Sequence, residues 1–295
     1  MKIIKLFELY KKQRLPSKAS IKNYTSLINV FIRDTKVSHI HNINYDTIIS
    51  WRDDILKRAS ITTWNTYLRQ LRALFEFGCS FGHIKSNVFK SVKLIPVYKK
   101  KPKILSDNID ITSIDKYIKK TSFQNECWFW VIVVKMLYFT GIRRKQLIYL
   151  KWKDINYESK ILKLSSQGSK TRREYFVPIT DNLIADLITL YKNTKKIKPN
   201  IKINDQLFNV TLFNKNYRTK DMKEHHISHF FRKLSNTFHI KISAHMIRHT
   251  MATRIANKAH NIKPLQHLLG HTNINTTMIY IHTNMDEMRK LQKVL

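Results

Sequence analysis

Four side chains in the last sixth of the 295-residue chain have types and spacings suited to phosphoryl chemistry: His245, Arg248, His271 and Tyr280. Around a phosphodiester, arginine grips oxygens through charge-assisted hydrogen bonds, imidazole donates hydrogen bonds or moves protons, and a phenol can attack phosphorus. His245 and Arg248 lie three residues apart, so on a helix they share a face. Met246, Ile247, Met251 and Ile255 can turn the other side of that helix into a core. A second apolar segment, 262–269, ends in Gly270-His271, and glycine suits a helix stop. Asn275-Thr276-Thr277 is expected to open a short helix carrying Tyr280, nine residues past His271.

The rest of the chain must build a scaffold for these groups. A hydrophobic content of 43%, with 5 Trp, 13 Tyr and 15 Phe, is enough for real cores and excludes a disordered chain. Lys and Arg number 54 against 20 Asp and Glu, a net charge of +34 that points to a polyanion, nucleic acid before acidic membrane. Cys79 and Cys127 stand far apart without a C-x-x-C, which argues against a zinc site or a disulfide framework and fits a reducing cytosol. The longest apolar run, 128–139, is broken by Lys135 and falls short of a membrane span. With no signal-peptide pattern at the start, the expectation is a cytoplasmic, nucleoid-associated protein without membrane partners.

In chain order, helical stripes run over 17–33, 45–56 and 62–77. Trp64, Tyr67, Leu68, Leu71, Leu74 and Phe75 pack one way, so Lys57, Arg58, Arg69 and Arg72 can face outward as phosphate contacts. The segment 93–104 carries two prolines and clustered lysines, including Lys99, Lys100 and Lys101, and reads as an extended linker. It either adds affinity for DNA or serves as a solvated tether. Ser106 and Asp107 can cap a helix over 109–120, and 123–139 reads as a buried helix ending at Thr140-Gly141. Two short strands, 161–165 and 174–179, flank a polar turn. Thr180-Asp181 caps a further helix to 192, and another covers 221–238. In that last helix His225, His226 and His229 have a metal-like spacing but no third type of ligand, so no metal is expected. The amphipathic tail 285–295 is too short to be stable alone; it folds back on its own domain or docks on a neighbour.

H-x-x-R-H-T-x-A-T at 245–253, L-L-G-H at 268–271 and Tyr280, in this order and at these spacings, resemble the tyrosine recombinase (phage integrase) family. Thr140-Gly-Ile-Arg-x-x-Gln-Leu resembles the family segment that supplies the first catalytic arginine, which implies Arg143. Arg144 and Lys145 are rival cations, but the Gly-x-Arg spacing favours Arg143; Gln146 stands where the family often has Glu. The run from Lys170-Thr-Arg-Arg to Val177-Pro178 resembles the family's β-hairpin, which implies Lys170 as the acid for the leaving 5′ oxygen, with Arg172 beside it as a DNA contact.

The resemblance implies a mainly α fold with a small β-hairpin or sheet in the C-terminal of two domains. Residues 1–94 would form a helical core-type DNA-binding domain, 95–105 a basic linker and 106–284 a catalytic domain. The tail 285–295 would be passed between protomers. No additional N-terminal arm-type domain is evident in the pattern. The implied activity is site-specific recombination of double-stranded DNA through a 3′-phosphotyrosyl link, without metal, ATP or other cofactor, in a synaptic tetramer. The implied catalytic set is Arg143, Lys170, His245, Arg248, His271 and the nucleophile Tyr280. Two other classes remain open: a type IB topoisomerase, which shares the chemistry on a single duplex, and a non-catalytic DNA-binding protein.

Overall fold

The computed structural model describes residues 1–98, 102–106, 109, 111–120, 126–168, 173–214, 216–217, 219–258 and 261–281, apart from the side chains of 119 and 120. Lys99, Lys100, Lys101, Lys170, Arg172 and the tail 285–295 therefore lie outside the described residues. The chain is mainly helical with a small antiparallel sheet, and it divides into two compact units, Met1–Lys100 and Lys101–Leu295.

Among the described residues the first unit has four α-helices: α1 (Ile3–Arg14), α2 (Lys18–Thr35), α3 (Tyr45–Arg58) and α4 (Ile61–Ser80). Ser17, Asn44 and Ser60 start α2, α3 and α4 by accepting the backbone N–H groups of Ser20, Thr47 and Thr63. The aromatic stripes meet in one core, where Trp51 lies edge-on to Phe31 and Trp64 at 4.9 and 5.4 Å.

The outward basic face expected of α3 and α4 is only partly present. Arg69 is exposed, whereas Arg58 is drawn to Asp34, which also accepts from Trp51 Nε1 at 3.2 Å. Arg72 departs from the expectation in where its guanidinium is held. Its guanidinium donates to the carbonyls of Phe89, at 2.9 Å, and Val92, so it closes the chain after α4 over the core rather than facing a phosphate. Asn65 similarly holds both backbone groups of Ile95, at 2.7 and 3.0 Å, so the segment expected as linker begins as packed chain.

In the second unit, α5 (Ile111–Lys120) leads to α6 (Cys127–Thr140), apolar on nearly every side. A helix without a polar face must be enclosed. α5 packs against α6, as do α8 (Asp181–Ile197) and α10 (Ala244–Ala256). Lys135, the charge within that apolar run, pairs with Asp186 of α8 at 2.9 Å. Leu105 is buried here, its N–H donating to Thr250 Oγ1 at 2.9 Å.

Two of the strands, β2 (Ile161–Leu164) and β3 (Tyr175–Pro178), pair antiparallel with Leu162 opposite Val177 and Leu164 opposite Tyr175. A third, β1 (Ile155–Asn156), was not expected; it is two residues long and pairs with the outer side of β2. Leu162, Leu164 and Val177 point into the core while Lys163 and Phe176 face out. The remaining α-helices among the described residues are α7 (Arg144–Tyr149), α9 (Glu224–Phe238), α11 (Lys263–Leu268) and α12 (Asn275–Met278). Among the described residues no helix is long and apolar enough to cross a membrane.

Candidate active site

α10 is the platform. Ser243 caps it, accepting from the Met246 N–H at 3.2 Å, and the helix buries Ile247, Met251 and Ala252 while carrying His245, Arg248 and His249. Arg248 is itself buried, 2% exposed. Its guanidinium donates to the carbonyl of Gly141, to the carbonyl of Leu269 at 2.8 Å, and to Nε2 of His271 at 3.1 Å. One arginine thus ties together the end of α6, the end of α11 and the next candidate residue. Glycine is favoured at 141. Its φ is +61°, and a Cβ would lie 2.0 Å from the Met251 side chain.

Arg143 follows that turn as the cap residue of α7. Its N–H donates to Gln146 Oε1 at 3.0 Å, and Gln146 Nε2 reaches the Tyr175 hydroxyl at 3.2 Å. A neutral amide therefore orients this turn. Nη1 of Arg143 is buried with no hydrogen-bond partner among the described residues, whereas Arg144 is engaged by Glu224 at 2.8 Å and Ser228 at 2.7 Å. Arg144 is thus held by α9, while Arg143 keeps a buried donor without a partner among the described residues.

His271 sits beyond Gly270, its backbone N–H donating to the Gln266 carbonyl at 3.0 Å. Arg248 can only donate, so His271 Nε2 accepts; the neutral ring then carries its proton on Nδ1 and donates to Thr277 Oγ1 at 2.9 Å. Thr277 belongs to α12, and Tyr280 lies two residues past the end of that helix rather than on it. The Tyr280 ring packs with Met251, Ala252, Leu265 and Leu269 and is 2% exposed. It runs nearly parallel to His271, planes at 11° and centroids 6.4 Å apart.

His245 reaches the tyrosine only through a second histidine of α10. The Tyr280 hydroxyl is 2.9 Å from Nδ1 of His249, and His249 Nε2 is 2.8 Å from His245 Nε2. His249 stood inside the motif, and its signal was its spacing: four residues after His245 it shares the same helix face.

Burial governs the protonation of the site. It pushes Arg248 down to about 10, assisted by the nearby Arg143 cation, which still leaves Arg248 charged near neutrality. It pushes His271 and His249 down to about 4, with Arg248 adding to the effect on both, so both imidazoles are neutral. Burial also raises the Tyr280 phenol above its ordinary 10.0, against the pull of Arg248 and Arg143. Arg143, His245, Arg248, His249, His271 and Tyr280 all line one open cleft of about 1390 Å³.

His226 is buried in α9 and accepts from the Lys223 N–H at 3.1 Å; His225 lies against it at 4.1 Å between rings. Among the described residues no group of three or more His, Cys, Asp or Glu side chains could hold a metal ion.

The phage integrase family model matches residues 109–287, more than half of the chain and all of this cleft. The chain belongs to the phage integrase family. Among relatives of this integrase-family chain, a Pseudomonas syringae protein assigned as a tyrosine recombinase XerC is 29% identical over 257 residues, 83% of this chain. The match covers only 54% of that relative, so the chain spans about half its length. The tyrosine recombinase XerC of Bacillus pumilus is 27% identical over 284 residues, 93% of this chain and 89% of the relative. In fold, the chain is similar to residues 82–397 of the Tn1549 transposon integrase, solved in complex with circular intermediate DNA. The TM-score is 0.79 at 22% identity, covering 99% of both chains.

Proposed function

We propose that this chain is a site-specific DNA recombinase or integrase that cuts and rejoins double-stranded DNA through a 3′-phosphotyrosyl intermediate. The observation that carries the reading is the convergence of Arg143, Arg248, His271 and Tyr280 on one cleft, in a chain of net charge +34. Tyr280 attacks the phosphorus, its proton leaves to the histidines of α10, and the bond to the 5′ oxygen breaks. The phosphotyrosyl ester keeps the energy of the broken bond, so the released 5′-hydroxyl can reverse the step without ATP. Arg143 and Arg248 neutralise the nonbridging oxygens as charge builds in the transition state. A phosphate entering the cleft takes over the Arg248 donors and frees His271 Nε2 to carry a hydrogen to it. Lys170 protonates the departing 5′ oxygen. A phenol of pKa about 10 is mostly protonated near neutrality, a deficit of roughly 4 kcal/mol that these groups must offset. No cofactor or metal has a place in this scheme.

Residues 1–94 serve as the DNA-gripping domain, 95–105 as its basic connection, and 106–284 as the catalytic domain. The tail 285–295 passes between protomers of a tetramer assembled on paired sites in the cytoplasm. Arg58 and Arg69, with Lys99, Lys100, Lys101 and Arg172, contribute phosphate contacts. Arg72 is left out of that set because two of its donors hold the carbonyls of Phe89 and Val92.

The experiment is to screen duplex fragments from the DNA neighbouring the gene for denaturant-resistant protein–DNA adducts, then to supply the captured site once or twice per plasmid. Recombination products that require two copies support the reading. Relaxation of supercoils on a single copy, with no exchange, would instead indicate a type IB topoisomerase. Binding without any adduct would leave a non-catalytic DNA-binding protein.

A further inference from the structure

Tyr280 presents its hydroxyl to a nitrogen, and that nitrogen is not on the residue that motif reasoning selects. Three observations define the arrangement. The hydroxyl lies 2.9 Å from His249 Nδ1; the far nitrogen of the same ring lies 2.8 Å from His245 Nε2; and the two rings approach to 4.0 Å between centroids. One end of this row is buried, with Tyr280 2% exposed, and the other end, His245, is exposed at the cleft.

Two other bases at the cleft, His271 and Glu224, are committed elsewhere. Both nitrogens of His271 are taken, Nε2 by Arg248 and Nδ1 by Thr277, and its ring lies nearly parallel to that of Tyr280. Glu224 lines the cleft but is paired with Arg144 at 2.8 Å.

We propose that His249 is the catalytic residue that takes the proton from Tyr280, and that His245 relays that proton to solvent without touching the tyrosine. This rests on Tyr280 being the nucleophile. In the step, the Tyr280 oxygen forms its bond to phosphorus and its proton passes to Nδ1 of His249. His249 gives the hydrogen on its Nε2 to Nε2 of His245. The electron pair of the breaking P–O bond stays on the 5′ oxygen, which takes a proton from the general acid. His249 ends neutral, as the other tautomer, and His245 ends as an imidazolium. Running the row backwards returns a proton to the tyrosine oxygen when the 5′-hydroxyl attacks, so one pair of rings serves cleavage and rejoining.

The row also resolves a difficulty in using His249 alone. Burial beside Arg248 makes it a poor place for a proton to stay. A partner at the solvent edge allows His249 to pass the proton without storing it.

The test uses full-length protein on a nicked duplex carrying its captured site, with His249→Asn, His249→Ala and His245→Ala. Asn keeps a hydrogen-bonding group near the phenol but cannot relay a proton. Both His249 variants are expected to lose about a hundredfold in cleavage rate, the scale of general base catalysis, and His245→Ala to lose less. Each is then given a strand ending in a 3′-p-nitrophenyl phosphate, from which the 5′-hydroxyl strand displaces an electron-poor phenol that departs as its anion. On that ligation the His249→Asn defect should shrink to a small fraction of its size in cleavage. Cleavage by His249→Asn at the wild-type rate overturns the proposal, as does an equal loss on both substrates, which marks a distorted site. A larger loss for His245→Ala than for His249→Ala also overturns it. A wild-type adduct mapped to a residue other than Tyr280 would sink the nucleophile assignment first, an outcome separate from all of these.

Discussion

Gly270 lies so close to the ring of Tyr175 that a Cβ on it would stand 2.5 Å from two ring carbons. Its φ of +60° adds a second demand that only glycine meets easily. Tyr175 cannot yield freely, because its hydroxyl is bound to Gln146, which in turn holds the Arg143 backbone. Gly270 therefore fixes where His271 begins, against the same network that fixes Arg143. Gly270→Ala should destabilise the protein by about 1–3 kcal/mol and impair cleavage more than DNA affinity. Thermal denaturation beside single-turnover cleavage measures both; a variant normal in each would show that this contact does not position the site.

Much of this was legible before any coordinates. The apolar segment 123–139 read as a buried helix, observed as Cys127–Thr140, and Gly141 and Gly270 stood where helix stops were needed. Types and spacings selected Arg248, His271 and Tyr280, and the family resemblance added Arg143; the fold brings all four to one cleft. What spacing could not reveal was direction. His245 and His249 share a helix face, and only tertiary packing decides which of them meets a phenol 31 residues further on. Arg72 has the same lesson, since a basic residue flanking an apolar stripe can turn back onto carbonyls as readily as it can face water. β1, two residues long, carries too little pattern to be read from sequence.

Arg72 and Arg69 should therefore separate when mutated. Arg72→Ala leaves two carbonyls without their charged donor and should cost about 1–3 kcal/mol in denaturant unfolding. Arg69→Ala should leave stability alone and reduce the slope of log affinity against log salt by about 0.9, the share of one phosphate. Reversed results would restore Arg72 as a DNA contact.

Stability should depend on pH through histidines that are buried neutral. His226, His249 and His271 are each pushed from 6.5 down to about 4, in every case first by burial. The unfolded chain takes up these protons as pH falls below 6.5 and the folded chain does not until about 4. Stability is thus fully present above that window and is lost on descending through it. The melting temperature should fall between pH 7 and 4, and His226→Gln, which lies outside the cleft, should flatten the fall. A melting temperature constant over that range would contradict the burial of these rings.

Lys170 is proposed to act only on the leaving oxygen, and sulfur substitution isolates that task. A bridging thiolate departs without a proton, so Lys170→Ala should cleave ordinary DNA very poorly and recover on the sulfur-bridged strand. Arg143→Ala should recover much less, because its work is at the nonbridging oxygens. If Lys170→Ala is equally impaired, or equally normal, on both strands, the proton comes from elsewhere.

Peptide mapping of the covalent adduct shows whether the Tyr280 oxygen becomes bonded to phosphorus. Wild-type protein trapped on a nicked duplex site should yield a phosphodeoxynucleotide on the peptide containing Tyr280. Tyr280→Phe should bind the same duplex almost unchanged, since ring and basic surface remain, yet form no adduct that survives denaturant. An adduct at wild-type level in Tyr280→Phe, or one mapped in the wild type to Tyr149 or Tyr217, would contradict the account.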